Sequence, residues 1–229
     1  MNTNSNTYTV IYASVVVIVV AFLMAFVAAS LKEKQDENVV LDKKKQILSA
    51  LNVDTKDKDA AQLYKDCVKY EYILNTKGDT LATEGGFSID VKVENSKPLE
   101  KRQLPLYVCN IDGATKYVIP MRGAGLWGPI WGYIALNDDK NTVFGVYFSH
   151  ESETPGLGAE IVMDIFKKPF HGKHIKQNGS FTSIAVVKPG KTAEGLDYVD
   201  GISGGTMTSQ GVNNMLKEGM GQYVEFLNK

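Results

Sequence analysis

The central part of the chain, residues 106–149, has the sequence LYVCNIDGATKYVIPMRGAGLWGPIWGYIALNDDKNTVFGVYFS. Two turn sequences divide it. Asp112-Gly113 is a favoured tight-turn dipeptide, and the polar residues 137–141 form a longer turn between apolar segments rich in β-branched and aromatic residues. We therefore expect two β-hairpins, and with them an antiparallel sheet, built from strands at residues 106–111, 115–121, 130–136 and 143–149.

Helices are expected around this sheet. The spacing of apolar residues predicts one helix at residues 158–166, before Pro169, and another at residues 209–227. A short strand is expected at residues 184–187. The second helix has an apolar face typical of packing on a sheet, formed by Val212, Leu216, Gly219, Met220, Tyr223, Val224 and Leu227. The fold class is therefore α+β, with antiparallel strands and flanking helices.

The N-terminal segment is of a different kind, because no Lys, Arg, Asp or Glu occurs before Lys32. Residues 10–31, VIYASVVVIVVAFLMAFVAASL, span about 33 Å as a helix, close to the ~30 Å hydrocarbon core of a bilayer. A cleaved signal peptide is the alternative, with small residues at 28–30 near a possible cleavage site. The long apolar run and the lack of a basic N-terminal residue favour a retained transmembrane helix.

The distribution of lysines predicts how the apolar segment is oriented in the membrane. Lysines follow the apolar segment and none precedes it, so the positive-inside rule places the rest of the chain in the cytoplasm. Residues 33–52 have apolar positions at helical spacing, and a polar stretch follows at 54–60. We expect an N-terminal tail at 1–9, a transmembrane helix at 10–31, a stalk helix and linker at 32–60, and one domain at 61–229.

Composition excludes several functional classes. Among 229 residues, 25 Lys and Arg balance 26 Asp and Glu, so the formal net charge of -1 gives no broad basic face for nucleic acid. Hydrophobic content of 44% and charged content of 22% exclude collagen-like, disordered and disulfide-scaffold chains. We expect an ordinary folded domain behind a membrane anchor.

Several short patterns resemble nucleotide-binding or metal-binding motifs, but the residues around them do not fit those functions. Residues 123–128, GAGLWG, match a dinucleotide fingerprint, but Pro129 and a strand follow where a helix is needed. Residues 188–191, KPGK, lack the first glycine and the Ser or Thr of a P-loop. His171 and His174 lie in a loop without further ligands, so we expect no metal site and no catalytic set. Cys67 and Cys109 are either buried thiols or a disulfide.

The segment directly before the C-terminal helix is more informative. Residues 200–206, DGISGGT, combine glycines, hydroxyls and a helix N-terminus, which together suit a phosphate. A turn with a hydroxyl N-cap is the alternative interpretation.

This segment resembles the motif in which flavin transferases attach FMN, through a phosphodiester, to the final threonine, here Thr206. The family usually has Ala before that threonine, where this chain has Gly205. Residues 125–133, GLWGPIWGY, and 150–160, HESETPGLGAE, resemble further signature segments of the same family. It is the family of the C subunit of the Na+-translocating NADH:quinone oxidoreductase. The G subunit of the related ion-translocating ferredoxin:NAD oxidoreductase is the alternative, but the stretch between Trp127 and Trp131 favours the C-subunit family.

The resemblance implies a set of site residues. Covalent FMN is expected on Thr206, within a motif formed by Asp200, Gly201, Ser203, Gly204 and Gly205. Leu126, Trp127 and Leu157 are candidates to cover the flavin ring, with core packing as the alternative role for each. Candidates for polar or charged contacts are Thr154, Gly158, Lys188 and Thr208.

The resemblance also implies a function and its partners. The parent complex oxidises NADH on a different polypeptide, reduces ubiquinone and exports Na+; the C subunit passes electrons from a membrane iron-sulfur centre to the FMN of the B subunit. Expected partners are the B, D and E subunits, a flavin transferase and the lipid bilayer of the bacterial inner membrane. The flavin domain is expected in the periplasm, against the lysine count. A non-redox, membrane-anchored assembly module is the alternative outside this family.

Overall fold

The computed structural model describes residues 5–229, so the first four residues of the expected tail lie outside it. The chain divides into two compact units, residues 1–43 and 44–229. Helix α1, Asn6–Ala50, begins in the first unit and ends in the second. It is long and apolar enough to cross a membrane.

Helix α1 also includes residues that the sequence analysis assigned to the N-terminal tail. Residues 6–9 were expected in the tail, but they are helical, and the Tyr8 N–H donates to Ser5 Oγ at 3.2 Å in the manner of an N-cap. The segments expected as membrane span and stalk lie on this one uninterrupted helix, because it contains neither Gly nor Pro.

The second unit is built on a six-stranded antiparallel sheet of order β2-β1-β3-β4-β5-β6. The α+β class and the two predicted hairpins are confirmed, whereas β1 and β2 were not predicted. The strands are β1 Val68–Leu74, β2 Thr80–Ala82, β3 Leu104–Ile111, β4 Ala114–Ala124, β5 Pro129–Asn137 and β6 Val143–His150.

Shorter elements complete this unit. Two-stranded sheets are formed by β7 Lys176–Gln177 with β8 Ser180–Phe181, and by β9 Ala185–Val187 with β10 Tyr198–Asp200, the second pair being parallel. The helices are α2 Ala60–Cys67, α3 Val91–Asn95, α4 Asp164–Lys167, α5 Thr206–Gly221 and α6 Val224–Leu227. Short 3-10 helices occur at Gly86–Ser88, Leu99–Lys101, Gly158–Val162 and Lys168–Phe170.

Two predicted helices need correction. The helix expected at 158–166 is a 3-10 turn, Gly158–Val162, followed by α4, because Met163 has extended backbone angles of φ -79° and ψ 148°. The C-terminal helix begins at Thr206, three residues before the predicted start, and a break at residues 222–223 separates α5 from α6. Thr206 is therefore the first residue of a helix.

Helix α5 packs closely on the sheet, chiefly against β4. A Cβ atom on Gly219 would lie 2.8 Å from Met121 Cγ, and one on Gly123 would lie 2.8 Å from Met215 Cβ. Nearer the start of the helix, Gly211 packs against the carbonyl oxygen of Ala124, the last residue of β4. This contact brings the first turns of α5 next to the loop between β4 and β5.

Candidate functional site

Three segments that are distant in sequence meet at the start of α5. They are the loop at residues 125–128, the loop at 153–158 and the turn at 200–206. A Cβ atom on Gly205 would lie 3.2 Å from the Gly158 nitrogen, and one on Gly204 would lie 2.7 Å from Leu157 Cδ2. The three sequence motifs thus form one continuous site.

Backbone hydrogen bonds and a glycine hold the turn at 200–206. The Gly201 N–H donates to the Val187 carbonyl at 2.7 Å, which fixes the turn to β9, and the Gly205 N–H donates to the Ile202 carbonyl at 3.0 Å. Gly204 has φ +76°, a left-handed conformation that glycine adopts without a steric penalty. This geometry ends β10 at Asp200, which is exposed, and begins α5 directly after Gly205.

The hydroxyl groups near this turn have different environments. Thr206 and Ser203 are exposed, and the Thr206 hydroxyl has no hydrogen-bond partner within residues 5–229. Ser209 is buried and its Oγ accepts the Ile202 N–H at 2.8 Å. Thr208, expected as a polar contact for the cofactor, is also buried and donates to Glu153. Only Ser203 and Thr206 of these four hydroxyls are open to modification.

The start of α5 is free to bind an anion. Its N-cap is Gly205, which provides no capping side chain, and the first turn contains no acidic residue. The first helical hydrogen bond runs from the Ser209 N–H to the Gly205 carbonyl. The backbone N–H groups before Ser209 are thus unpaired within the helix, and the positive end of the helix dipole lies beside Thr206. The alternative of a hydroxyl N-cap does not describe this turn.

A cleft of about 320 Å³ opens beside Thr206. Lys188 and Lys191, both exposed, line it from a turn closed by the Lys191 N–H and the Lys188 carbonyl at 2.9 Å. Lys188 was a predicted site residue. Lys191 was not; the only signal for it in the sequence was the incomplete KPGK pattern. The two lysines give the cleft a cationic wall.

Large apolar side chains stand exposed on the loops of this site. Trp127 is 67% exposed, Leu126 51% and Leu157 42%. Such exposure excludes the core-packing role that the sequence left open for them. Met207 is 61% exposed in the first turn of α5 and was missed, since a lone Met gives no pattern. These side chains offer an apolar surface of the kind that covers a planar ligand.

The sequence did not predict Glu153 as a site residue, although it lies within the signature segment at residues 150–160. It is buried; Oε1 accepts the Trp127 N–H at 2.8 Å, and Oε2 accepts the Thr208 hydroxyl at 2.5 Å. Burial raises the pKa of this carboxyl, but the Thr208 hydroxyl and the backbone N–H groups of residues 126–128 outweigh burial and hold the pKa below its ordinary value. Glu153 is therefore a buried carboxylate at neutral pH.

Thr154 and Gly158, the other two residues predicted to contact the cofactor, interact with neighbouring parts of the protein. Thr154 is exposed, and its carbonyl accepts the N–H groups of Leu157 and Ala159, both at 3.1 Å. Gly158 is buried at a point where a Cβ atom would collide with the Thr208 hydroxyl. Both residues shape the 153–158 loop.

The residues considered for metal binding or disulfide formation lie apart from this site. His171 Nδ1 is 2.7 Å from the Phe144 carbonyl, and His174 Nδ1 is 3.1 Å from Asp197 Oδ2. Within residues 5–229 no group of three or more His, Cys, Asp or Glu side chains is arranged to hold a metal. Cys67 and Cys109 are free thiols, and burial raises the pKa of each.

Comparison with known proteins places this site in a family. The C subunit of the Na(+)-translocating NADH-quinone reductase of Pasteurella multocida is 31% identical over 88% of this chain and 85% of its own length. The chain belongs to this C-subunit family. The Vibrio vulnificus (strain YJ016) member is 29% identical over 86% of this chain and 84% of its own length. The crystal structure of the Parabacteroides distasonis member shares 45% identity, with a TM-score of 0.82, over 87% of this chain and 98% of that one.

The match to the FMN-binding domain family covers residues 125–221. In this member of the C-subunit family, the matched range begins at the Gly125 loop, includes both later segments of the site and ends with α5. It leaves out α1 and strands β1 to β4. The predicted family and the expectation of FMN binding are confirmed, and the matched range contains the three segments that meet at the start of α5.

Proposed function

We propose that this chain is a membrane-anchored electron-transfer component of a Na+-translocating NADH:ubiquinone oxidoreductase and that it carries FMN esterified to Thr206 through a phosphodiester. One observation carries the proposal. Thr206 is an exposed threonine on the first turn of α5, with unpaired helix N–H groups and a lysine-lined cleft beside it. The alcohol to be esterified and the groups that bind an anion thus lie at the same place.

The residues of the site match the two ends of FMN. A phosphodiester keeps one negative charge, which the first-turn N–H groups, Lys188 and Lys191 stabilise; a helix N-terminus alone contributes about 0.3–1 kcal/mol at an exposed site. The exposed side chains of Leu126, Trp127 and Leu157 would cover the apolar ring of the flavin. FMN supplies one- and two-electron redox chemistry, and the protein supplies its attachment and surroundings.

A covalent link suits an electron carrier. Oxidation and reduction change the charge of a flavin, and therefore its affinity for any site that binds it noncovalently. An ester bond to Thr206 keeps the flavin in place in every redox state. Electron transfer then requires no general acid, base or nucleophile from this chain.

The same proposal includes the partners and location of the chain. Helix α1 anchors it in the bacterial inner membrane, and the FMN domain lies in the periplasm, where a flavin transferase completes it. Electrons arrive from an iron-sulfur centre in the membrane and leave to the FMN on the B subunit, with the B, D and E subunits as neighbours. We give the family's topology more weight than the lysine count, because the other polypeptides of a complex help to fix the orientation of a single helix.

The test is covalent modification of the full chain produced with and without a flavin transferase. Intact mass spectrometry should show one esterified FMN only with the transferase, and fluorescence in a denaturing gel should remain with the protein. Thr206→Ala should abolish both signals. Ser203→Ala, which removes the other exposed hydroxyl of the motif, should leave them unchanged. An unmodified wild-type chain that still copurifies with membrane partners would instead indicate a non-redox assembly module.

A further inference from the structure

A buried carboxylate next to the proposed attachment site has no part in the function described above. Glu153 accepts hydrogen bonds on both oxygens, from the Trp127 N–H at 2.8 Å and from the Thr208 hydroxyl at 2.5 Å. Trp127 belongs to the loop that presents the apolar surface, and Thr208 lies two residues after Thr206 in α5. One side chain thus joins the loop with the exposed apolar side chains to the first turn of α5.

The surrounding backbone is shaped around this carboxylate. A Cβ atom on Gly125 would collide with Glu153 Oε1, and one on Gly158 would lie 2.5 Å from Glu153 Oε2. The Glu153 N–H in turn donates to His150 Nδ1 at 3.2 Å, which fixes the start of its own loop. Glycine at positions 125 and 158 therefore allows three chain segments to approach one carboxylate.

A requirement for stability alone does not explain this arrangement. Burying a charged group is costly, and well-packed apolar residues often stabilise a protein as much as a buried ionic network. Hydrogen bonds from fixed N–H and O–H groups have a directional geometry that apolar contacts lack. The carboxylate therefore contributes alignment of the segments it joins.

We propose that Glu153 is a positioning residue, which holds the first turn of α5 and the Leu126-Trp127 loop in the arrangement needed to attach and cover the flavin. The inference rests on the proposed function, because it concerns the same site. Glu153 acts through Thr208 and Trp127 and is not assigned a direct contact with the flavin.

The experiment compares Glu153→Ala and Glu153→Gln with wild type in the full chain. Loss of the hydrogen bonds to the carboxylate in Glu153→Ala should slow FMN attachment by the transferase about tenfold or more. It should also lower the fluorescence anisotropy of the attached flavin, since the covering loop is released. Glu153→Gln should restore both values, because its carbonyl accepts the Trp127 N–H and its amide donates to the Thr208 oxygen.

Glu94→Ala is the matched control. Glu94 is also buried, and its carboxylate accepts from Lys97 Nζ at 2.7 Å and the Gln103 N–H at 2.9 Å, but none of these residues belongs to the three segments of the site. This variant should lower the thermal unfolding temperature as Glu153→Ala does, while the attachment rate and flavin anisotropy stay at wild-type values. All rates are compared at a temperature at which every variant is folded.

The outcomes separate the two proposals. A wild-type chain that never acquires FMN overturns the proposed function, whatever Glu153 does. If wild type is modified, three results overturn the role of Glu153: wild-type rate and anisotropy in Glu153→Ala, equal losses in Glu94→Ala, or no rescue by Glu153→Gln.

Discussion

At the scale of single residues, two neighbouring threonines of the site differ in their exposure to solvent. Thr206 and Thr208 differ by two positions in one helix, yet Thr206 is exposed and Thr208 is buried against Glu153. Side chains two residues apart lie on different faces of a helix, so their roles diverge. Of these two threonines, only Thr206 is open to modification.

Gly204 is a position where a Cβ atom should affect both stability and FMN attachment. Gly204→Ala should destabilise the domain by about 1–3 kcal/mol through its left-handed backbone and should also displace Leu157, whose Cδ2 lies in the space a Cβ would occupy. Gly113→Ala is the control, because Gly113 has φ +83° with open space around its Cβ position and lies in the turn between β3 and β4, outside the three segments of the site. Urea unfolding should detect both losses, but FMN attachment should slow only in Gly204→Ala. Equal attachment rates would show that Leu157 is not required.

The lowered pKa of Glu153 leads to a second prediction at this scale. A carboxyl whose pKa is lower in the folded state contributes stability that is present above its unfolded pKa, about 4.3, and is lost as the pH falls through the folded pKa. Below about pH 4.3 the free energy of unfolding should therefore fall less steeply in Glu153→Gln than in wild type. Urea unfolding between about pH 7 and pH 3 measures this slope. Identical slopes would contradict the assignment of Glu153 as a buried carboxylate.

At the scale of elements, the close packing of α5 on β4 brings the first turns of α5 next to the 125–128 loop. Gly211, Gly219 and Gly123 provide this close approach. The sequence pattern predicted an apolar helical face but could not show how near the helix backbone lies to the strand. The start of α5 was also predicted three residues late, because the apolar periodicity begins only at Val212, whereas the first turn is set by the glycine-containing turn before it.

Helix α5 therefore gives a prediction of its own. Gly211→Ala should collide with the Ala124 carbonyl, shift the start of α5 away from the 125–128 loop and destabilise the domain by about 1–3 kcal/mol. FMN attachment should slow in proportion to this shift. Gly221→Ala is the control at the other end of the helix, where the nearest side-chain atom is 3.8 Å away, at Phe181. Similar behaviour of the two variants would contradict the positioning role of this contact.

At the scale of the whole molecule, an apolar helical segment is joined to a domain with its own core. The large apolar side chains of residues 10–27 are exposed. In contrast, Ile47, Leu48 and Leu51, at and just after the end of α1, are buried within the second unit. Exposed side chains of this kind are expected in lipid. The chain thus combines a helix that is long and apolar enough to cross a membrane with a folded domain that contains the FMN-binding match.

The side of the membrane on which the domain lies can be tested directly. Protease added to spheroplasts should degrade the domain after α1, because we propose that it lies in the periplasm. A cytoplasmic protein in the same spheroplasts should remain intact as a control for the inner membrane. Protection of the domain until the membrane is dissolved would instead support the orientation given by the lysine count.

Patterns in the amino-acid sequence predicted the long apolar helix, the two hairpins, the α+β class and the flavin-attachment motif that ends at Thr206. Each follows from a local property: a long uncharged apolar run, turn dipeptides between strands, or a short motif of adjacent residues. The folded arrangement was needed to show that Glu153 joins Trp127 to Thr208, that Thr208 is buried and that Lys191 lines the cleft. These two hydrogen bonds of Glu153 link positions 26 and 55 residues apart. Local periodicity contains no information about such pairs, which meet only after α5 has packed on the sheet.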